Sequence, residues 1–192
     1  MPDTTHAKTQ YYTAATLDGF IADPTHSLDW LFQFGLQETE DFPGFLREVG
    51  ALAMGSSTYE WILKHLIDPG ADHAQPWPYK QPAWVFTTRT LRHVPGADIQ
   101  FVRGDVAPVH QAMLTAATGK NVWLVGGGDL VGQFHDRGLL DEIIVTVAPV
   151  TLGAGKPLLP RAITTPPLRL LNTHVYGPFV QLRYAVDPRP AS

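Results

Sequence analysis

The 192-residue chain predicts a three-layer α/β fold, with a mostly parallel central sheet and a C-terminal antiparallel hairpin. Three observations lead there. Short runs of β-formers alternate with segments of helical period from residue 10 to residue 147. The last two β runs, 168–176 and 179–186, flank Gly177-Pro178 and read as an antiparallel pair. No internal repeat, low-complexity tract or linker breaks the order. One domain over 10–187 is therefore expected, between a flexible start at 1–9 and a tail at 188–192.

The elements follow in order. Residues 10–16, QYYTAAT, form a strand that ends at the turn Asp18-Gly19. Residues 23–29 are a loop, with Asp-Pro, His and Ser as turn formers. A helix is predicted over 38–49, because Phe42, Phe45, Leu46 and Val49 share one face; Pro43 near its start costs little. A short apolar strand at 51–54 closes on Gly55-Ser56-Ser57. A helix at 58–66 follows, with Ser56 or Ser57 as its N-cap. The segment 68–82 carries Pro69, Pro76, Pro78 and Pro82 and is long for a connector, which favours a functional or lid-like loop. Strands at 83–87 and 99–102, a helix at 106–118, a strand at 121–125, a helix at 129–137 and a strand at 142–147 come next. The Gly-Pro loop 149–160 leads into the closing pair.

Composition excludes several functions. With 44% hydrophobic and 17% charged residues the chain is an ordinary globular one. Its net charge of −4 and lack of a basic run argue against a nucleic-acid partner. There are no cysteines, hence no disulfide, thiolate catalyst or zinc-thiolate site. The eight histidines show no paired ligand spacing, so no metal is expected. The first ten residues lack a signal peptide's apolar core, and no apolar run is long enough to span a membrane. The cytoplasm is the expected location.

The stretch 122–130, VWLVGGGDL, carries the chemistry. A strand emptying into glycines and then into a helix aims bare N–H groups and a positive dipole end at one point. A nucleotide pyrophosphate suits that arrangement; so does a tight strand-to-helix turn with close packing. The spacing Gly126-x-Gly128-x-x-x-Gly132 only approximates the dinucleotide fingerprint. It comes late in the chain, with no acidic residue at a strand end some 20 residues on, so an ordinary Rossmann dehydrogenase is disfavoured. Gly155-Lys156 is followed by Pro157, which excludes a Walker motif.

Four motifs in order, YYTAATLDGFIA, LAMGSSTYEW, AWVFTTR and VGGGDLVGQF with LLDEIIVTVAPVTLGAGKPLLP, resemble the dihydrofolate-reductase-like superfamily. Within it the chain is most similar to the reductase domain of the riboflavin-biosynthesis deaminase-reductase and its stand-alone relatives. The resemblance spans roughly residues 11–186. It implies a reductase with NADPH across the C-terminal strand ends, acting as 5-amino-6-(5-phosphoribosylamino)uracil reductases do. Dihydrofolate reductase is the alternative activity, and a non-catalytic nucleotide-binding module is the alternative of another class.

Carried over residue by residue, the Ala14-Ala15 backbone meets the nicotinamide amide, and Gly55, Ser56, Ser57 and Thr58 line the phosphates. Thr87, Thr88 and Arg89 match the segment at the adenosine ribose and its 2′-phosphate. Gly126, Gly127 and Gly128, with Leu130 behind them, match the pyrophosphate cradle, where the family carries a cis Gly-Gly bond. Each has a second reading: Ser56 and Ser57 as caps, Thr87 and Thr88 as ordinary strand-end residues, Arg89 as a solvated loop residue. The chain departs from the folate enzymes at Ser56, where they place an Arg, and at Asp129, where they often have Arg or Lys. These changes leave Arg89 as the main candidate reader of a 2′-phosphate.

Hydride transfer to C=N needs a proton source. The resemblance places it at Asp41, with Glu38 and Glu40 as rivals, and Thr146 in IVTVAP as its supporting threonine. The three acids also suit a solvated helix N-terminus. Leu17 and Asp18 fall on the substrate loop; Asp18 and Asp29 also suit plain turns. The Trp-x-x-Pro-x-Asp pattern of folate reductases is missing. Where riboflavin-pathway reductases carry Asp-Asp-Pro and basic residues, this chain offers Asp68-Pro69 and Lys80. Loops like 149–160 often form dimer contacts in relatives, so a homodimer is expected.

Overall fold

The computed structural model describes residues 7–35, 42–70 and 74–188. Eight strands form one sheet in the order β5-β4-β3-β6-β1-β7-β10-β9. In chain order they begin with β1 (Thr9–Thr16), β3 (Val49–Gly55), β4 (Ala83–Phe86) and β5 (Ile99–Val102). Then come β6 (Asn121–Gly126), β7 (Glu142–Ala148), β9 (Arg169–Tyr176) and β10 (Phe179–Ala185). The six from β5 to β7 run parallel, β10 is antiparallel to β7, and β9 is antiparallel to β10. A second, two-stranded sheet pairs β2 (Phe20–Ala22) with β8 (Lys156–Pro157).

The central strands are largely apolar along their middles because both faces are covered. Side chains alternate between two cores. Tyr11, Ala53, Leu124 and Ile143 face α4 (Val106–Ala117) and α5 (Gly128–Asp136), which contribute Met113 and Phe134. Tyr12, Leu52, Trp123 and Ile144 face the opposite layer, with Tyr59 and Ile62 from α3 (Ser56–Ile62). Phe42 and Phe45 of α2 (Phe42–Glu48) meet Tyr12 edge-on at 5.6 and 4.7 Å. A one-turn helix α1 (Asp29–Phe32) closes the loop after β2.

Several expectations change. Gly55 is the N-cap of α3 with no side-chain cap bond, so neither Ser56 nor Ser57 caps it; both are its first helical residues. The helix expected over 58–66 ends at Ile62 and continues as a π-helical turn, Leu63–Ile67. Val49 opens β3 rather than closing a helix. The proline-rich loop is anchored by aromatics: Trp77 packs on Tyr59 and Tyr79 on Trp123. Among the described residues no helix is long and apolar enough to cross a membrane.

Candidate active site

The parallel strands β1, β3 and β6 all end at one side of the sheet, where a cleft of about 690 Å³ opens. Thr13 and Ala14 of β1, Val125 and Gly126 of β6, and Thr146 of β7 line it from the sheet. Ser57 and Thr58 line it from the start of α3, and Gly127, Gly128 and Asp129 from the entry to α5. The peptide bond between Gly126 and Gly127 is cis.

The three glycines do three different jobs. Gly126 has φ of +139°, a conformation that L side chains rarely adopt. Gly128 lies against the backbone: a Cβ there would collide with the carbonyl oxygens of Pro157 and Leu158. Gly127 needs neither excuse. Its φ is −84°, and a Cβ would meet only the Ile21 Cδ1 at 3.8 Å. Its bare surface belongs to the cleft. Gly55 adjoins this turn outside the cleft lining, its would-be Cβ 3.8 Å from the Gly127 nitrogen.

The hydroxyls of Ser57 and Thr58 make no hydrogen bond among the described residues, and α5, nine residues long, starts beside them. Donors without partners, a glycine floor and a positive helix end fit an anionic diphosphate. Asp129 does not spoil this. It is solvent-exposed, ion-paired to Arg161 at 3.3 Å, and accepts from the Gln133 amide. The Asp136 carboxylate shares the same guanidinium at 2.8 Å.

Thr146 is buried between Ala14 on β1 and Gln181 on β10. Its hydroxyl accepts from Tyr176 at 2.9 Å and from the Gln181 amide at 3.5 Å. That amide also donates to the Tyr12 hydroxyl at 3.0 Å. Tyr12, Thr146 and Tyr176 line the cleft, so a polar network runs along its floor. Tyr79, also lining it, is held neutral: burial pushes its phenol up to about 12.

The other expected site residues that fall among the described residues lie outside the cleft lining. Ala15 and Leu130 are buried in the core, the latter on the inner face of α5. Ser56 lies just before the lining residues of α3. Thr87, Thr88 and Arg89 follow β4 outside the cleft lining, and Arg89 forks onto Glu60 at 2.9 and 2.7 Å, both side chains exposed. Leu17 is exposed on the turn after β1. Asp18 latches that turn to the loop beyond β7, accepting from the Thr16 hydroxyl and from the backbone N–H groups of Leu152 and Gly153. The Thr16 bond, against partial desolvation and with Gly153 and Leu152 adding, holds its carboxyl below the usual range. Asp41, like Glu38 and Glu40, lies outside the described residues. From loop 149–160, Pro157 and Pro160 line the cleft, and the Leu158 carbonyl accepts from the Tyr11 hydroxyl at 3.1 Å.

Sequence reasoning missed the apolar side of the cleft, formed by Leu31, Phe32, Trp61, Leu66 and Phe179, and missed Lys156. One signal was available. Trp61 stands one helical turn beyond Ser57 and Thr58, on the same face. Among the described residues no three His, Asp or Glu side chains converge as a metal-binding group.

Residues 7–182 match the model of the RibD C-terminal domain. The chain belongs to that family. It is 33% identical over 177 residues to the uncharacterized protein YwjB of Bacillus subtilis (strain 168), covering 92% of this chain and 97% of that one. A crystal structure from Shewanella sp. PV-4, of a protein named for riboflavin biosynthesis, superimposes with a TM-score of 0.74 at 26% identity. That match covers 93% of this chain and 98% of the other. Dihydrofolate reductase from Enterococcus faecalis, complexed with NADP(H), shares the fold at 13% identity and a TM-score of 0.58. Here 93% of this chain and 95% of the other are covered. The dihydrofolate-reductase-like fold expected from the motifs is thus the fold of this RibD-family chain.

Proposed function

We propose that this RibD-family chain is an NADPH-dependent reductase of a small heterocyclic substrate, of the type found in riboflavin biosynthesis. The observation that carries the proposal is the Gly127 surface, left bare toward the cleft where neither backbone conformation nor packing demands a glycine. The relationship to RibD reductase domains and the fold shared with an NADP(H)-binding enzyme support it.

When bound, the dinucleotide supplies a hydride at nicotinamide C4 for the carbon of a polarised C=N or C=O bond. The chain's own residues bind and orient. Gly126, Gly127, Gly128, Ser57 and Thr58 hold the diphosphate, Gly55 and Ser56 back them, and the Ala14-Ala15 backbone takes the nicotinamide amide. Leu130 secures α5 from behind. Thr87, Thr88 and Arg89 take the 2′-phosphate end. Arg89 must leave Glu60 for this, at a cost of about 0–1 kcal/mol for an exposed pair. Asp41 provides the proton for the substrate nitrogen or oxygen, Thr146 orients it, and Leu17 and Asp18 border the substrate. The cytoplasm and a homodimer complete the reading.

Titration of the full chain with NADPH and NADH tests the proposal. NADPH is expected to bind at least about tenfold tighter, and Arg89→Gln to remove that preference while leaving NADH affinity unchanged. Failure of both dinucleotides to bind overturns it. NADPH binding without oxidation by the pyrimidine riboflavin precursor, dihydrofolate or other heterocycles favours the non-catalytic module. Fast oxidation by dihydrofolate favours the folate enzyme.

A further inference from the structure

The cleft has two chemically distinct sides, and one of them carries an inference about the substrate that rests on the reductase reading. Beside the glycine floor, Phe32 of α1 and Trp61 of α3 form an offset stack, centroids 5.9 Å apart and planes at 26°. Trp61 stacks in turn on His65 at 4.6 Å. Leu31, Leu66 and Phe179 extend this side. Flat apolar rings present faces that other flat rings match.

Charge is distributed the opposite way. Among the described residues lining the cleft, Lys156 is the single Lys or Arg and His26 the single histidine. Lys156 pairs through β8 with Ala22 and precedes the carbonyls that press on Gly128, so it stands by the glycine floor. The other nearby cations stand outside the lining: Lys80 is exposed just beyond Tyr79, Arg89 is paired to Glu60, Arg92 to Asp68 at 2.5 Å, and Arg161 to Asp129 and Asp136. An anion placed against the Phe32–Trp61 side would lose hydration with no Lys or Arg of the described lining beside those rings in return.

We infer that the substrate side of this cleft takes a flat, uncharged heterocycle without a phosphate group, so that the chain reduces an unphosphorylated ring rather than a phosphoribosyl-bearing one. Lys156 serves the dinucleotide end.

A matched pair of probes decides the point. 4-Methylumbelliferone and its phosphate ester present the same flat heterocycle with and without the anion. Both are titrated by calorimetry into the full chain at pH 6, with and without saturating NADP⁺. The neutral probe is expected to bind at least about tenfold tighter. Phe32→Ala should weaken it about fivefold or more and leave NADP⁺ affinity unchanged; Phe32 is 36% exposed, so the fold should tolerate the change. Equal or tighter binding of the ester, or binding of neither probe, overturns the inference. Failure of NADP⁺ to bind is a separate result: it removes the reductase reading, while the probe ratio without NADP⁺ still tests the substrate side.

Discussion

The two ends of the parallel sheet are built on opposite principles. At the end where β1 and β7 begin, most polar groups are spent on one another, with the buried Gln10 Oε1 and His110 Nδ1 the exceptions. The buried Glu142 carboxylate takes Lys8 at 2.5 Å, the Gln10 amide at 2.8 Å and the Arg183 guanidinium at 2.6 and 3.0 Å. The Asp141 carboxylate accepts the Thr9 N–H, and the Thr9 hydroxyl meets the His110 ring at 2.7 Å. At the other end the Ser57 and Thr58 hydroxyls and the Gly127 surface face an open cleft. One end lends stability and the other is kept available. The distinction cuts through the glycine triplet itself, since Gly128 lines the cleft but is also required by packing, whereas nothing but the cleft meets the Gly127 surface apart from Ile21.

Gly127→Ala and Gly128→Ala should therefore separate sharply. The first is expected to cut NADPH affinity about tenfold to a hundredfold, read by titration, with little change in melting temperature. The second should cost about 1–3 kcal/mol of stability by overpacking against Pro157 and Leu158, read by denaturant unfolding. Equal melting of the two variants would show that the division of labour is wrong.

At the closed end, Glu142→Gln should cost about 2 kcal/mol, because two half-exposed cations lose their shared counter-ion. Its pH dependence sharpens the comparison. Burial pushes the Glu142 carboxyl up, but Lys8, Gln10 and Arg183 together outweigh it, so the folded-state value lies below the usual 4.5. A depressed value means stability that is full above pH 4.5 and is lost as pH falls through the folded value. The gap between wild type and variant should close over that window, as urea midpoints at several pH values would reveal.

The smallest effect is expected at Asp18, the exposed latch beside the cleft. Its lowered pKa has the same sign, so its contribution is full above pH 3.8 and fades below. Asp18→Asn should lower the melting temperature slightly at pH 7 and not at all well below pH 3. Amide exchange at Leu152 and Gly153, whose N–H groups it holds, should quicken.

Much of this architecture was legible in the sequence, and its physical basis explains where legibility stopped. Strands β5 and β6 and helices α4 and α5 announce themselves by period, because alternation and the 3.6-residue repeat are properties of neighbouring residues. The pair β2–β8 did not. Two or three residues carry no period, and the pairing joins segments far apart in the chain. The serine caps failed for a related reason: Gly55 ends its strand extended, with φ of −79° and ψ of 164°, and takes the cap position itself. The Glu142 cluster draws on Lys8, 134 residues away, and Arg183, 41 residues away. No local pattern encodes such partners.

By itself, then, the sequence determined the order and kind of the main elements, and it marked a strand-to-helix turn whose three glycines had to matter. It did so because period, turn chemistry and the missing Cβ are local facts. Only the tertiary structure decided which of these cleft glycines packing also requires, since that depends on the Pro157 and Leu158 carbonyls lying against one and not the other. Packing likewise decided that Phe32 and Trp61 stack on one side while the arginines are taken up by acids elsewhere. Where a side chain ends up, and what charge remains near it, is settled by contacts between distant segments.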